Sequence, residues 1–465
     1  MAQTVPLTPS QSDLYLADRA ADDPTTYHVA LVYRVEGTLD ETALRARFQR
    51  LLTAHPMLAT RVVEGGEGWF FAPAERTPAL HASAVPLDAD SSPAARRVRQ
   101  ECRRPMDPAR GPLLRVVLLR YPNHRADLIV VAHHLVVDEP SAALMARWLL
   151  TGDEAEPAQT FADWGASTAV TPERAERAAA LRDEFAAADL APALDWAAPA
   201  ADLNEVGGGI DELQLDGNLW GRVRTLAAEL RITPYSFVVA AAGLVFGRNT
   251  RTARPVLGAT VSRRTPRHAA TVGYFNSTVP IPVHLDEQPT IADFLRQTHA
   301  RSMRAYRDAD LPLSVVLPQG GGEGPRLVVV PTSPLPELTT GEGARCVPRA
   351  DLDLGTAQFP LALYLREEPE GLHGLLRYQR GKISASAAEL FCRQVETVVA
   401  AFAADLDAAP AQVSTVPSAD LARLAERAGE APAALVDQDV SIPQLFAQQA
   451  ALDPGRVAVT DGASA

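Results

Sequence analysis

"VVAHHLVVDEPSAALMARWLL", Val130–Leu150, runs from β-branched residues through two adjacent histidines to an aspartate, and then into a helical pattern. With the preceding "ADLI" it reads as a buried strand that ends in a pair of polar rings. Side chains alternate across a strand, so His133 and His134 must face opposite sides. If one packs in the core, the other is offered to a groove. Asp138 or Ser141 is placed to cap the helix that follows, whose Met145, Trp148 and Leu149 form the inner stripe. Asp138 can also pair with an arginine. The stretch is therefore either two packing histidines or a base at the mouth of a strand. No third His, Cys or carboxylate stands nearby at ligand spacing, so no metal is expected. A serine hydrolase lacks its G-x-S-x-G elbow.

Bulk properties narrow the setting. At 465 residues, 47% hydrophobic and 22% charged, the chain has the make-up of a globular protein with two or three units. The net charge is -13, and Lys382 is the only lysine. No basic cluster could neutralise a run of phosphates, which argues against nucleic acid. Cys102, Cys346 and Cys392 are far apart and odd in number, so neither a disulfide framework nor a zinc site is expected. No signal peptide and no apolar run of membrane-spanning length is found. A cytoplasmic protein is expected.

Strands and helices alternate along the first part. "YHVALVYRVEG" from Tyr27, "GWFFAP", "PLLRVVLLRYP" and "ADLIVVAHH" read as strands. "LDETALRARFQRLLTAHP" reads as a helix capped by Asp40, with Leu44, Phe48, Leu51 and Leu52 on one face. An Ala/Asp/Glu/Pro-rich crossing extends from Thr151 to about Gly209, with one helix at "PERAERAAALRDEFAAA". The second part repeats the style. Helices are expected at "LWGRVRTLAAEL" and, with Thr233 as cap and Pro234 first, through "YSFVVAAAGLVFGR". Five strands follow, at "RPVLGATVS", "STVPIPVHL", "PRLVVVP", "FPLALYLREE" and "LHGLLRYQ". A closing helix is expected from a Ser386-x-x-Glu389 capping box. Beyond Asp405 the composition is that of a linker. The final segment, too small for its own core, reads as one helix and one strand. The expected class is α/β, with 1–175 and 176–425 as two lobes and 426–465 as linker and truncated opening of a further domain.

"VVAHHLVVDEPS" resembles the HHxxxDG signature of condensation domains of nonribosomal peptide synthetases, members of the chloramphenicol-acetyltransferase-like superfamily. Further segments resemble the family's motifs in the family's order over roughly residues 6–420. "LTPSQSDLYLA" keeps Thr8, Gln11, Leu14 and Tyr15, and "AHPMLATRV" keeps His55, Leu58 and Thr60. "TFADWGAS" keeps Phe161, Asp163 and Trp164, "VGYFNSTVPIPV" keeps Gly273, Phe275 and Thr278, and "RDADLPLSVVL" keeps Asp310 and Pro312. The tail "LFAQQAALDPGRVAV" resembles the start of an adenylation domain.

The resemblance implies two acetyltransferase-like lobes in a V, with a tunnel between them and His134 at its centre. It implies that an upstream carrier domain brings an acyl or peptidyl thioester and a downstream carrier an aminoacyl thioester, the amine attacking the carbonyl to form an amide. No cofactor is bound by the domain itself; phosphopantetheine arms arrive on the carriers. His134 is the expected catalytic residue, orienting the amine and accepting its proton, with His133 and Asp138 in support. A base typically contributes ~10²–10⁴-fold, whereas holding two tethered reactants in line supplies about 7–11 kcal/mol. Positioning should dominate. Tyr274, Asn276 and Ser277 are the expected tunnel residues.

Three departures stand out. Glu139 replaces the motif's glycine: it can narrow a tunnel mouth, recognise an acceptor group, perturb the histidine or mark a degraded site, or simply point to solvent from the first helical turn. Ala59 stands where an arginine could pair with Asp138, and Arg61, on the same face two residues on, can substitute. Ser277 replaces an asparagine. A catalytically silent docking platform and an acyltransferase using an alcohol or a free amine therefore remain as alternatives.

Overall fold

Strand Arg125–His133 lies between two antiparallel neighbours, His28–Glu36 and Leu114–Tyr121, and every residue after Arg125 is buried. Its unbroken apolar run follows from being covered on both faces. Leu128, Val130 and Ala132 join a core with the helices Glu41–Ala54 and Glu139–Thr151. Ile129 and Val131 face a second core, with Val98 and Cys102 of helix Ser92–Cys102.

The computed structural model describes residues 4–66, 68–169, 171–185, 191–197, 207–286, 289–311, 313–317, 324–349, 353–429 and 442–452. The chain divides into two units, Met1–Thr415 and Val416–Ala465. The first is α/β with two lobes, each built on a six-stranded mixed sheet, together with a small three-stranded sheet. The sheet of the first lobe runs, in spatial order, Leu338–Thr339, Arg345–Pro348, His28–Glu36, Arg125–His133, Leu114–Tyr121, Leu80–Ala84. The sheet of the second runs Asn276–Pro282, Val256–Ser262, Leu327–Pro331, Leu361–Glu368, Gly371–Gln379, Gly208–Asp216. Helix Tyr235–Asn249 is almost wholly buried against the second sheet's core, with Ala385–Ala404 packed beside it. Among the described residues no single helix is long and apolar enough to cross a membrane.

The strands and helices expected from periodicity are present, with three local corrections. The closing helix is capped by Ser384, whose hydroxyl accepts from Ala387 N, and not by Ser386. Two serines two residues apart compete for the cap, and the apolar stripe fixes the helix face without fixing its first turn. Likewise Pro234 is the cap of Tyr235–Asn249, while Thr233 instead bonds Ser236 through its hydroxyl. The stretch expected to be linker beyond Asp405 contains helix Ser418–Gly429 in the second unit. The last expected helix is found at Ile442–Leu452; the strand after it lies outside the described residues. Strands Leu338–Thr339 and Arg345–Pro348 come from the second half of the sequence and complete the first lobe's sheet against His28–Glu36.

Candidate functional site

His133 pairs with His28 at the end of the strand, and there the backbone turns. His134 N donates to Tyr27 O, and Val136 N to His133 O. Alternation then separates the two rings. His133 is fully buried: its Nδ1 accepts from Leu135 N at 3.2 Å, so Nε2–H is left to donate to Asp18 Oδ1 at 3.2 Å. His134 is partly accessible. Its Nδ1–H donates to Val137 O at 2.7 Å, which fixes the tautomer and leaves the Nε2 lone pair as the ring's acceptor. Burial depresses its pKa below the ordinary histidine value, with the Val137 hydrogen bond and the Asp138 charge pulling the other way. The ring is thus neutral at neutral pH.

His134 lines a cavity of about 960 Å³ whose walls come from both lobes. Ser10, Asp13 and Ala17 of helix Pro9–Ala20 contribute, as do Tyr27, Tyr274, Asn276 and Thr278. Residues 356–360 with Gln379, Gly381 and Lys382 form a further part of the wall. The edge of Tyr274 packs on His134, with centroids 5.0 Å apart at 83°. Ser277 also lines the cavity, and its buried hydroxyl has no hydrogen-bond partner among the described residues.

Asp138 is fully buried and caps helix Glu139–Thr151, its Oδ1 accepting from Ser141 N at 2.8 Å. It also accepts from Phe275 N at 3.1 Å and from Arg264 Nη2 at 3.1 Å. Arg264 Nη1 donates in turn to His268 O and Thr271 O, and its guanidinium covers the Phe275 ring at 4.2 Å. Asp138 N donates to Gly273 O, and Ser141 Oγ bridges Gly273 O and N. The histidine loop is therefore riveted to the second lobe. The arginine beside Asp138 is Arg264. Arg61, expected in that role, donates instead to Ala109 O, because its strand belongs to the small three-stranded sheet.

Most of the scattered motif residues converge on this rivet. Gln11 Nε2 donates to Leu135 O at 2.6 Å and caps its own helix with Thr8. His55 packs edge-on to Trp148. Phe161 and Trp164 pack on Phe275. A Cβ on Gly273 would lie 2.0 Å from the Phe161 ring, so only glycine fits there. Asp310 stands apart, paired with Arg174 and Arg177 of helix Pro172–Phe185; Pro312 lies outside the described residues. Glu139 occupies the first helical turn with an exposed side chain and is not among the residues lining the cavity. Sequence reasoning missed Arg264, Asp13 and Asp18; the Arg263-Arg264 pair ahead of "VGYF" was the available signal for the first. Among the described residues no three His, Cys, Asp or Glu stand together to hold a metal ion.

A pH prediction follows from three histidines. Burial lowers His28 and His55 to about 4 each and lowers His134. Near pH 6.5 the unfolded chain takes up protons that the folded chain refuses. Their contribution is therefore complete above that value and is lost as pH falls towards 4. At pH 5 His28 and His55 should each remove about 2 kcal/mol of stability. Urea denaturation at pH 7.5 and pH 5 should show this drop; a flat profile would refute it.

The cavity joins two α/β lobes at a neutral imidazole. Residues 1–425 match the family described as Condensation domain, and the chain belongs to that family. It is 26% identical over 98% of its length to the isonitrile lipopeptide synthase of Mycobacterium tuberculosis, covering 20% of that protein. It is 24% identical over 98% of its length to the chondramide synthase cmdD of Chondromyces crocatus, covering 12%. The chain thus spans a fifth or less of these curated relatives. Among solved structures, the X-domain from teicoplanin biosynthesis superposes with a TM-score of 0.75, at 18% identity over 89% of this chain and 98% of that one. The condensation domain from the Monacolin K polyketide synthase MokA gives 0.70, at 17% identity over 88% and 99%. These structural likenesses establish the fold.

Proposed function

We propose that the chain catalyses amide formation between two carrier-tethered substrates, as the acyltransferase domain of a nonribosomal peptide synthetase. The supporting observation is the His134 ring, held by Val137 through Nδ1 and facing a chamber built from both lobes. A chamber of about 960 Å³ is at the upper end of the range for small-molecule sites, which suits phosphopantetheine arms delivered from outside. The upstream carrier brings the acyl or peptidyl thioester, the downstream carrier the aminoacyl group.

An α-amine has an ordinary pKa of about 7.7–8.0, so part of it is already nucleophilic. Nε2 of His134 accepts a hydrogen bond from the amine and aims its lone pair at the thioester carbonyl. As the C–N bond forms, the surplus proton passes to Nε2. Collapse of the tetrahedral intermediate breaks the C–S bond, and the proton leaves with the donor thiolate. His133, bound to Asp18, and Asp138, bound to Arg264, hold the loop. The tail beyond residue 425 is read as the opening of an adenylation domain; the alignments to both synthases extend over it.

Mass spectrometry of both carriers after mixing them, loaded, with this protein tests the proposal. The expected result is an empty donor arm and an acceptor heavier by the acyl group. Two unchanged carriers would overturn it in favour of a silent docking platform, whereas acyl transfer to an alcohol or a free amine alone would identify the other acyltransferase reading.

A further inference from the structure

Asp13 lines the same cavity as His134 and Tyr274. It sits on helix Pro9–Ala20, which Gln11 ties to the histidine loop at Leu135 O. One carboxylate oxygen accepts from Ser314 N, 301 residues away, at 3.2 Å, so the group is held in position by both lobes. It is half-buried and makes no ion pair with any described residue. Asp23, on the same wall, differs: it already holds Arg103. Desolvation raises the Asp13 carboxyl, with Ser314 acting the other way. A carboxylate drawn out of water with the amide and hydroxyl of one neutral serine as its partners gains most from a cation brought by the ligand.

We propose that Asp13 is a specificity-determining residue that selects acceptors carrying a cationic amine on the side chain. This rests on the amide-forming reading above. The side chain, and not the α-amine, is the group selected. The attacking nitrogen must be neutral beside His134, and a carboxylate binding it would hold it protonated. The Tyr274 ring lies against His134 and feels the Asp13 charge, so the two functions belong to neighbouring parts of one chamber.

The test uses lysyl- and norleucyl-pantetheine, joined through an amide in place of the thioester, with binding to the whole chain measured by calorimetry. The two differ only in the terminal ammonium. The wild-type protein should bind the lysyl compound about tenfold more tightly. Asp13→Asn keeps an acceptor for Ser314 N and should bring the two within about twofold, by weakening the lysyl compound alone. Asp13→Lys should reverse the order. Equal binding by wild type, equal weakening of both by Asp13→Asn, or no binding of either at millimolar concentration would overturn the proposal. Because binding is read without turnover, a preference for lysyl in a protein that leaves both loaded carriers unchanged would reject the amide-forming reading and keep the site.

Discussion

Replacing His134 with alanine should slow single-turnover amide formation between two loaded carriers by ~10²–10⁴-fold, the usual contribution of a positioned base. Residual rate should remain well above background, because holding both reactants in line is worth more, about 7–11 kcal/mol. The loss should lie in the chemical step, with acceptor binding little changed. His134→Gln should lie between the two, since it restores a hydrogen-bond acceptor without a proton carrier. As pH falls, the wild-type rate should follow protonation of the acceptor amine, ordinarily about 7.7–8.0, with no added loss from His134 at the ordinary histidine value, because burial lowers its pKa. An undiminished rate in His134→Ala would remove the ring from the reaction.

Asp138→Ala should destabilise the first unit by about 3–5 kcal/mol, the range for removing one partner of a buried ion pair. Arg264 would keep its bonds to His268 O, Thr271 O and Ser141 Oγ but lose its only carboxylate partner among the described residues, leaving a mostly buried charge over the Phe275 ring without a counter-charge. Ser141 N and Phe275 N would lose their acceptor, and a lost cap alone is worth about 1 kcal/mol. Asp138→Asn keeps a cap oxygen but not the charge, and should cost less. A double-mutant cycle with Arg264→Met in urea separates the pair from the cap. Additive effects would refute the coupling of histidine loop and second lobe.

Much of this was legible in the sequence because it depended on period. The alternation that sends His133 inward and His134 to the cavity, the Asp138 cap and the stripe of Val395, Val398 and Phe402 are all local patterns. What stayed hidden depended on distance along the chain. Arg264 meets Asp138 across 126 positions, and Asp13 meets Ser314 across 301; neither spacing carries any local pattern. Strand Gly208–Asp216 was concealed by its Gly-Gly start and by Glu212 and Gln214 on its outer face. Strands of two and four residues, Leu338–Thr339 and Arg345–Pro348, are shorter than any alternation that could mark them.

Those two short strands have a bearing on how the protein can be divided. His28–Glu36 pairs along one side with Arg125–His133 and along the other with Arg345–Pro348; Tyr33 Oη also donates to Pro336 O, and Arg349 N to Val32 O. A fragment that stops before residue 338 would carry an apolar strand with a bare row of amides and carbonyls, a template for self-association. Recombining modules at the midpoint between lobes would therefore sever a sheet, and fragments joined from different parents would have to match at this borrowed edge before any tethered substrate met the imidazole.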